Sequence, residues 1–264
     1  MVGPGDHPAA EGDLVNVAIV TGAARGIGAA TASLLAEQGM AVALLDVEEA
    51  ALAETTGRLA EKGHLVRALR CDVGLRTSVE AAILEVETQL GAVQVLVNNA
   101  GVGGPFHRVD EVSDEEWDWI INTNLKSVFL FTRNLLPKMK AQGYGRIVNV
   151  ASIQGFLGSA RSSTYVASKH GMVGYTRTIA AEWGAYGITA NAVCPGYVDT
   201  ALGIQPAAVQ DYLAKVMAKS PVQRVAQPRE IAELIAFLAS PNAGYLNGAV
   251  IPIDGGITAH VGIT

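Results

Sequence analysis

The segment from Leu14 to Gly28, LVNVAIVTGAARGIG, decides the architecture. Its apolar run, Leu14 to Thr21, breaks at Gly22 and gives way to an Ala-rich helical pattern from Gly26 to Gln38. A buried strand that turns through glycines straight into a helix is the opening of a βαβ unit. Gly22, Gly26 and Gly28 permit a tight turn, close approach of backbone to a phosphate, and close packing of helix on strand. With Ile27 in its first turn, the helix points free N–H groups and a positive dipole end at an anion. The spacing differs from G-x-G-x-x-G, so the segment alone also fits a plain glycine turn.

The rest of the chain repeats the alternation. Strands are predicted at Ala41 to Leu45, His64 to Arg70, Val93 to Val97, Arg146 to Ala151, Ile188 to Val193 and Ala249 to Ile253. Between them lie helical patterns at Glu48 to Glu61, Thr77 to Leu90 and Thr164 to Trp183. Ser113, with Glu116 three residues on, forms a capping box that starts a long helix, and Pro137 deep inside it is expected to kink or end that helix. The uncharged run Leu234 to Ile253 is interrupted by Ser240-Pro241-Asn242 and Asn247-Gly248, so it reads as helix, turn and strand rather than as a membrane span. Short buried strands separated by helices imply an α/β fold with a doubly wound, parallel, seven-stranded sheet and right-handed crossovers. Ligands of such a sheet bind at the carboxyl ends of its strands. Residues 1–13 read as a disordered leader, 14–264 as a single domain, and 202–221 as a substrate lid.

Composition agrees with one large domain of 264 residues, since 50% hydrophobic and 17% charged residues supply a sizeable core. A net charge of −6 without a basic stripe argues against nucleic acid as a partner. Cys71 and Cys194 lie far apart and form no CxxC, which suits a reducing, cytoplasmic setting. The five histidines form no HxxxH or HxH set, so no metal is expected. Glu115, Glu116 and Asp118 suit a helix start, and Trp117 and Trp119 pack or form an interface.

At the nucleotide end, Asp46 closes the second strand about twenty residues past the glycines, where a carboxylate accepts both hydroxyls of an adenosine ribose and repels a 2′-phosphate. It can also begin the following helix. Arg25 in the glycine loop pulls the other way, toward NADP. Val47 offers no second cation, so the carboxylate decides for NAD. Asp72, with the backbone of Val73, is placed to meet the adenine amine. In Asn98-Asn99-Ala100-Gly101, small residues let the chain pass close to a ribose, while the amides either tie strands together or touch the ligand.

At the reacting end, Tyr165 and Lys169 are four apart at a helix start and share one face. An ammonium beside a phenol, joined by a cationic nicotinamide, should lower the phenol's pKa from about 10 and poise it as an acid/base. Ser152 ends the fifth strand, and its hydroxyl can hold a carbonyl oxygen or alkoxide. Asn124 falls inside the predicted long helix, where a polar side chain is expected to face solvent or bond locally.

Together these residues resemble the short-chain dehydrogenase/reductase family in its single-domain form, from about Leu14 to Gly256. The resemblance rests on TGAARGIG, Asp46, Cys71-Asp72-Val73, Asn98 to Gly101, Asn124, Ser152, the Tyr165/Lys169 pair, Pro195-Gly196 and Asn247-Gly248…Asp254-Gly255-Gly256. It implies a Rossmann fold and a catalytic tetrad of Asn124, Ser152, Tyr165 and Lys169. In that tetrad Tyr165 is the acid/base, Ser152 orients the reacting oxygen, Lys169 tunes the tyrosine and binds ribose, and Asn124 supports a proton-relay water. It further implies that Val198 and Thr200 contact the nicotinamide carboxamide, and that the chain is a homotetramer. The activity implied is hydride transfer between NAD and a secondary alcohol or ketone. An NADPH-dependent 3-oxoacyl-thioester reductase is the enzymatic alternative, and a catalytically silent nucleotide-binding regulator the alternative of another class. Ser152, Ile153, Phe156, Leu157, Tyr165, Tyr197, Leu202 and Tyr212 are the candidate substrate lining. Being mainly apolar, it favours a neutral, moderately hydrophobic substrate; Arg161 and His107 are the cations that a carboxylate could use.

Overall fold

A computed structural model describes residues 16–200 and 218–259. The expected leader, residue Leu14, and the expected lid apart from 218–221, with Leu202 and Tyr212, lie outside the described residues.

Strand β1 (Val17–Thr21) is buried at every position, as a strand covered by helices on both faces must be. Its neighbours β2 (Ala41–Asp46) and β4 (Val93–Asn98) are mostly apolar, and β5 (Gly145–Val150) and β6 (Ile188–Pro195) beyond β4 are buried throughout, with Arg146, Asn149, Thr189 and Asn191 among their residues. The outer strands are β3 (Val66–Arg70) and β7 (Val250–Ile253). Exposed Arg67 and Arg70 on β3 make that edge a poor template for further pairing. All pairings are parallel, in the order β3-β2-β1-β4-β5-β6-β7. The order therefore reverses between β1 and β4, and the crevice above that reversal is where such sheets bind ligands.

Side chains of β1 alternate between two cores. Ala18 and Val20 face the layer of α1 (Gly26–Glu37), α2 (Glu49–Glu61) and α7 (Pro228–Ala239), meeting Leu35, Leu52, Ile231 and Ile235. Val17 and Ile19 face α3 (Arg76–Gln89), α5 (Ser127–Gln142) and α6 (Ser163–Trp183), meeting Ile83, Phe131, Leu135 and Ile179. The doubly wound reading holds.

Three local readings need correction. The helix begun by the Ser113/Glu116 capping box is not continuous: α4 (Asp114–Ile121) passes through a π-helical turn, Asn122–Lys126, into α5. Pro137 does not end α5, which continues to Gln142 and stops at Gly143 in the left-handed region, φ +66°. Strand β6 runs two residues beyond Val193, because Cys194 and Pro195 still pair with Pro252 and Ile253 of β7.

Candidate active site

At the switch point the turn after β1 is moulded by its glycines. Gly22 has φ +64°, and a Cβ on it would lie 2.8 Å from the Ala100 Cα. A Cβ on Gly28 would lie 2.0 Å from the Gly22 carbonyl oxygen, so α1 can pack this close to β1 only without a side chain there. The Asn99 amide donates to the carbonyls of Thr21 and Gly22 at 2.9 and 3.0 Å, while Thr21 Oγ1 accepts from the N–H groups of Asn99 and Ala100, both at 3.0 Å. Asn98 donates to Asn149, which donates to Thr176 on α6, each at 2.8 Å. Of the two readings of these asparagines, the structure supplies the tie between strands.

Helix α1 begins after Arg25 with no side-chain cap and no acid in its first turn. Its free N–H groups, in a cradle that any Cβ would fill, fit the pyrophosphate of a dinucleotide. Thr200 packs onto this cradle, its Cγ2 3.0 Å from where a Cβ of Gly26 would stand. Val198 pairs with Ala226, packs on the α1/α7 core, and accepts the Thr200 N–H at 2.8 Å. Gly196 passes Asp254 so closely that a Cβ would stand 2.9 Å from its Cα.

Asp46 is built into the turn: Oδ2 accepts the Ala24 N–H at 3.0 Å and Oδ1 the Glu48 N–H at 3.1 Å. Each oxygen keeps a further lone pair for a hydroxyl. The Arg25 guanidinium lies 4.0 Å from the Glu48 carboxylate, both well exposed. Asp72 Oδ1 accepts the Gly74 N–H at 2.9 Å, and the Val73 side chain is buried in the core, which leaves its backbone as the part able to meet a ligand.

The reacting side lies above β4 and β5. Ser152 caps a single 3₁₀ turn, Ile153–Gly155, its Oγ accepting the Gln154 N–H at 3.1 Å. Phe156 and Leu157 follow, well exposed, while Ile153 and Tyr197 are partly buried. Tyr165 and Lys169 project from one face of α6, with Nζ 5.5 Å from the ring centre. The amine is buried and donates to the Val150 carbonyl at 2.8 Å. Gly101 makes room for both Lys169 and Asn124, since a Cβ there would lie 3.3 Å from Asn124 Oδ1 and 3.6 Å from Lys169 Nζ.

Asn124 corrects the expectation of a solvent-facing amide. It is fully buried in the π turn, accepts the Val102 N–H at 2.8 Å, and donates to the Val102 carbonyl at 2.9 Å and Ser168 Oγ at 3.2 Å. Ser168 in turn donates to the Tyr165 carbonyl at 2.7 Å. Sequence reasoning missed Val102 and Ser168, which lock the asparagine to the β4 loop and to α6. The available signal was the helical phase: Ser168 lies one residue before Lys169, toward the packed side of α6.

The electrostatics also differ from expectation. Burial raises the Tyr165 phenol above its ordinary value, with hydrogen bonding from Ser152 opposing it, and brings Lys169 down to about 8. Desolvation dominates at both groups, and for the amine it outweighs the attraction to Cys194. Cys194, beneath them at the end of β6, is pushed up by burial to about 11 and stays a thiol.

Residues 22–258 match a family model described as enoyl-(acyl carrier protein) reductase. A cis-4-hydroxycyclohexanecarboxylate dehydrogenase of Sinomonas cyclohexanicum is 44% identical over 243 residues, 92% of this chain and 96% of that one. A 3-oxoacyl-acyl-carrier-protein reductase of Vibrio harveyi is 37% identical over 241 residues, 91% of this chain and 96% of that one. Among solved structures, a variant of actinorhodin polyketide ketoreductase with NADPH superposes with a TM-score of 0.88 at 36% identity, covering 93% of this chain and 98% of that one.

Proposed function

The chain belongs to the short-chain dehydrogenase/reductase family and is an oxidoreductase of alcohol and ketone substrates, and from that premise we propose that it oxidises secondary alcohols with NAD. The observation that carries the cofactor choice is the acidic end of β2. A 2′-phosphate near the ribose would face Asp46, with Glu48 already beside Arg25. Two carboxylates against one exposed guanidinium disfavour a dianion. Arg25 in the glycine loop and the likeness to a 3-oxoacyl-acyl-carrier-protein reductase favour the second reading, an NADPH-dependent reductase of 3-oxoacyl thioesters.

A nicotinamide held here would supply hydride chemistry and, in its oxidised form, positive charge. Tyr165 removes the hydroxyl proton of the alcohol, and Ser152 holds the same oxygen through the change from alcohol to carbonyl. Lys169 would hold the ribose hydroxyls of a bound cofactor, and its charge favours phenolate at Tyr165. Asn124 fixes the β4 loop on α6, which keeps Gly101, Lys169 and Tyr165 in register. Glycines Gly22, Gly26 and Gly28, with Ile27, Thr200 and the backbone of Val73, Asn99 to Gly101, Pro195, Gly196 and Val198, form the dinucleotide groove.

The enzyme works as a cytoplasmic homotetramer. Buried free thiols at Cys71 and Cys194 suit a reducing compartment, and exposed Trp117, Trp119 and Phe129 on α4 and α5, with Tyr245 and Leu246, supply apolar surface for assembly. No helix among the described residues is long and apolar enough to cross a membrane. Calorimetric titration with NAD(H) and NADP(H) tests the cofactor assignment. Tighter binding of NAD(H), by about tenfold or more, is the expected result, and preference for NADP(H) replaces it with the reductase reading.

A further inference from the structure

Beside Tyr165, between the loop after β4 and the start of α6, lies a shallow cleft open to solvent. Its walls include Tyr165 itself, His107, Glu116, Arg161, Ser162 and Thr164. Tyr165 therefore belongs both to the reacting site and to the wall of this cleft.

Three features of the crevice await an anion. Arg161 donates from Nε to the Phe106 carbonyl at 3.0 Å, and its guanidinium forms no ion pair among the described residues. Its backbone is left-handed, φ +63°, a conformation L side chains rarely adopt. Helix α6, 21 residues long, begins with no side-chain cap and no acid in its first turn. Its first backbone bond is from Val166 to the Ser162 carbonyl, so the N–H groups of Ser163, Thr164 and Tyr165 meet no acceptor among the described residues. Finally, Thr164 is 3% exposed, and its Oγ1 is buried without a hydrogen-bond partner. Buried hydroxyls are rarely left so. The one acid in the walls, Glu116, is already answered: its carboxylate lies 3.0 Å from His107 Nδ1 and accepts the Ser113 N–H at the start of α4.

We infer that this crevice is an anion subsite of the substrate pocket, and that the substrate is a secondary alcohol or ketone bearing a carboxylate, bound by Arg161, the Thr164 hydroxyl and the first N–H groups of α6. A planar carboxylate matches the guanidinium fork, and a helix N-terminus completes its coordination. The inference rests on the dehydrogenase reading above and replaces the neutral substrate that the apolar lining suggests.

Reduction of 4-oxocyclohexanecarboxylate and of its methyl ester with NADH separates charge from shape. The wild-type protein should prefer the acid by about 10- to 100-fold in kcat/KM, the range of a charge-assisted hydrogen-bond pair. Arg161→Gln should bring the acid-to-ester ratio close to one, mainly through the KM of the acid, and Arg161→Lys should restore part of it. Arg161→Gly removes the same charge while relieving the left-handed strain, so a collapsed ratio there cannot come from misfolding. Equal losses on acid and ester in Arg161→Gln, or a wild-type protein that turns over the ester without preferring the acid, overturn the subsite and leave the dehydrogenase in place. If acid, ester and a panel of neutral ring and chain ketones all fail while NADH binds, the dehydrogenase reading falls and takes the subsite with it.

Discussion

Replacing Lys169 by methionine should stabilise the cofactor-free protein while abolishing turnover. Lys169 is 3% exposed, and its amine donates to the Val150 carbonyl. Burial lowers it from 10.5 to about 8, so at pH 7 the folded chain still carries the charge, at the cost that the lowered value measures. The gap between those values, at about 1.4 kcal/mol for each pH unit, comes to about 3 kcal/mol of destabilisation. Methionine fills similar space and gives up the bond to Val150, worth about 1 kcal/mol. The net gain is about 2 kcal/mol, or roughly 4–8 °C in Tm for a chain of this length. Its pH dependence follows from the direction of the shift. Below pH 8 the folded and unfolded states both carry the proton, and the penalty is complete. Between pH 8 and 10.5 the folded state has released a proton that the unfolded chain retains, so wild-type stability rises relative to the variant. Above 10.5 neither state is charged, and the difference reduces to the lost hydrogen bond. Thermal unfolding of both proteins without NAD from pH 6.5 to 10.5 measures this, and their difference cancels the titrating groups that do not interact with Lys169. A variant no more stable than wild type at pH 7, or an advantage that does not shrink between pH 8 and 10.5, would refute the claim that desolvation dominates this site.

Tyr165→Phe should lower kcat by about 10³-fold, within the range for removal of a general acid/base, while NADH affinity measured by fluorescence titration stays within about threefold; retained turnover would take the proton from another group. Asn124→Ala leaves the partly buried N–H and carbonyl of Val102 without their side-chain partner and should cost about 2 kcal/mol in urea unfolding, whereas a loss under about 0.5 kcal/mol would mean the π turn repacks without it. Gly28→Ala drives a Cβ into the Gly22 carbonyl 2.0 Å away, so α1 must move off β1 and NADH binding should weaken by about 10²-fold or more, with unaltered calorimetric affinity the contrary result.

The runs that became β1, β2, β4 and β5 were legible because a strand buried on both faces is mostly apolar, the buried polar exceptions Asn98, Arg146 and Asn149 being hydrogen-bonded. The turn from Thr21 to Gly28 was legible because only glycine permits the φ of Gly22 and the contact at Gly28. Tyr165 and Lys169 could be paired from their spacing, since four residues close one turn of a helix. In the Asp114–Gln142 region the same rule misled: its periodicity reads as one helix, while the structure inserts a π turn at Asn122–Lys126. Such a turn is stabilised by bonds to remote groups, here Val102 and Ser168, and π turns of this kind concentrate at functional sites.

What the sequence by itself determined, then, is the doubly wound sheet, the glycine turn, and which side chains share a helix face, because steric and hydrophobic periodicity act between near neighbours. Only the tertiary structure decided the protonation balance at Tyr165 and Lys169, since desolvation depends on what covers a group rather than on what precedes it. The same holds for Arg161 and Thr164. The sequence offers Arg161 as a cation that a carboxylate could use and says nothing of Thr164; the loop after β4, meeting the start of α6, is what makes them walls of one cleft.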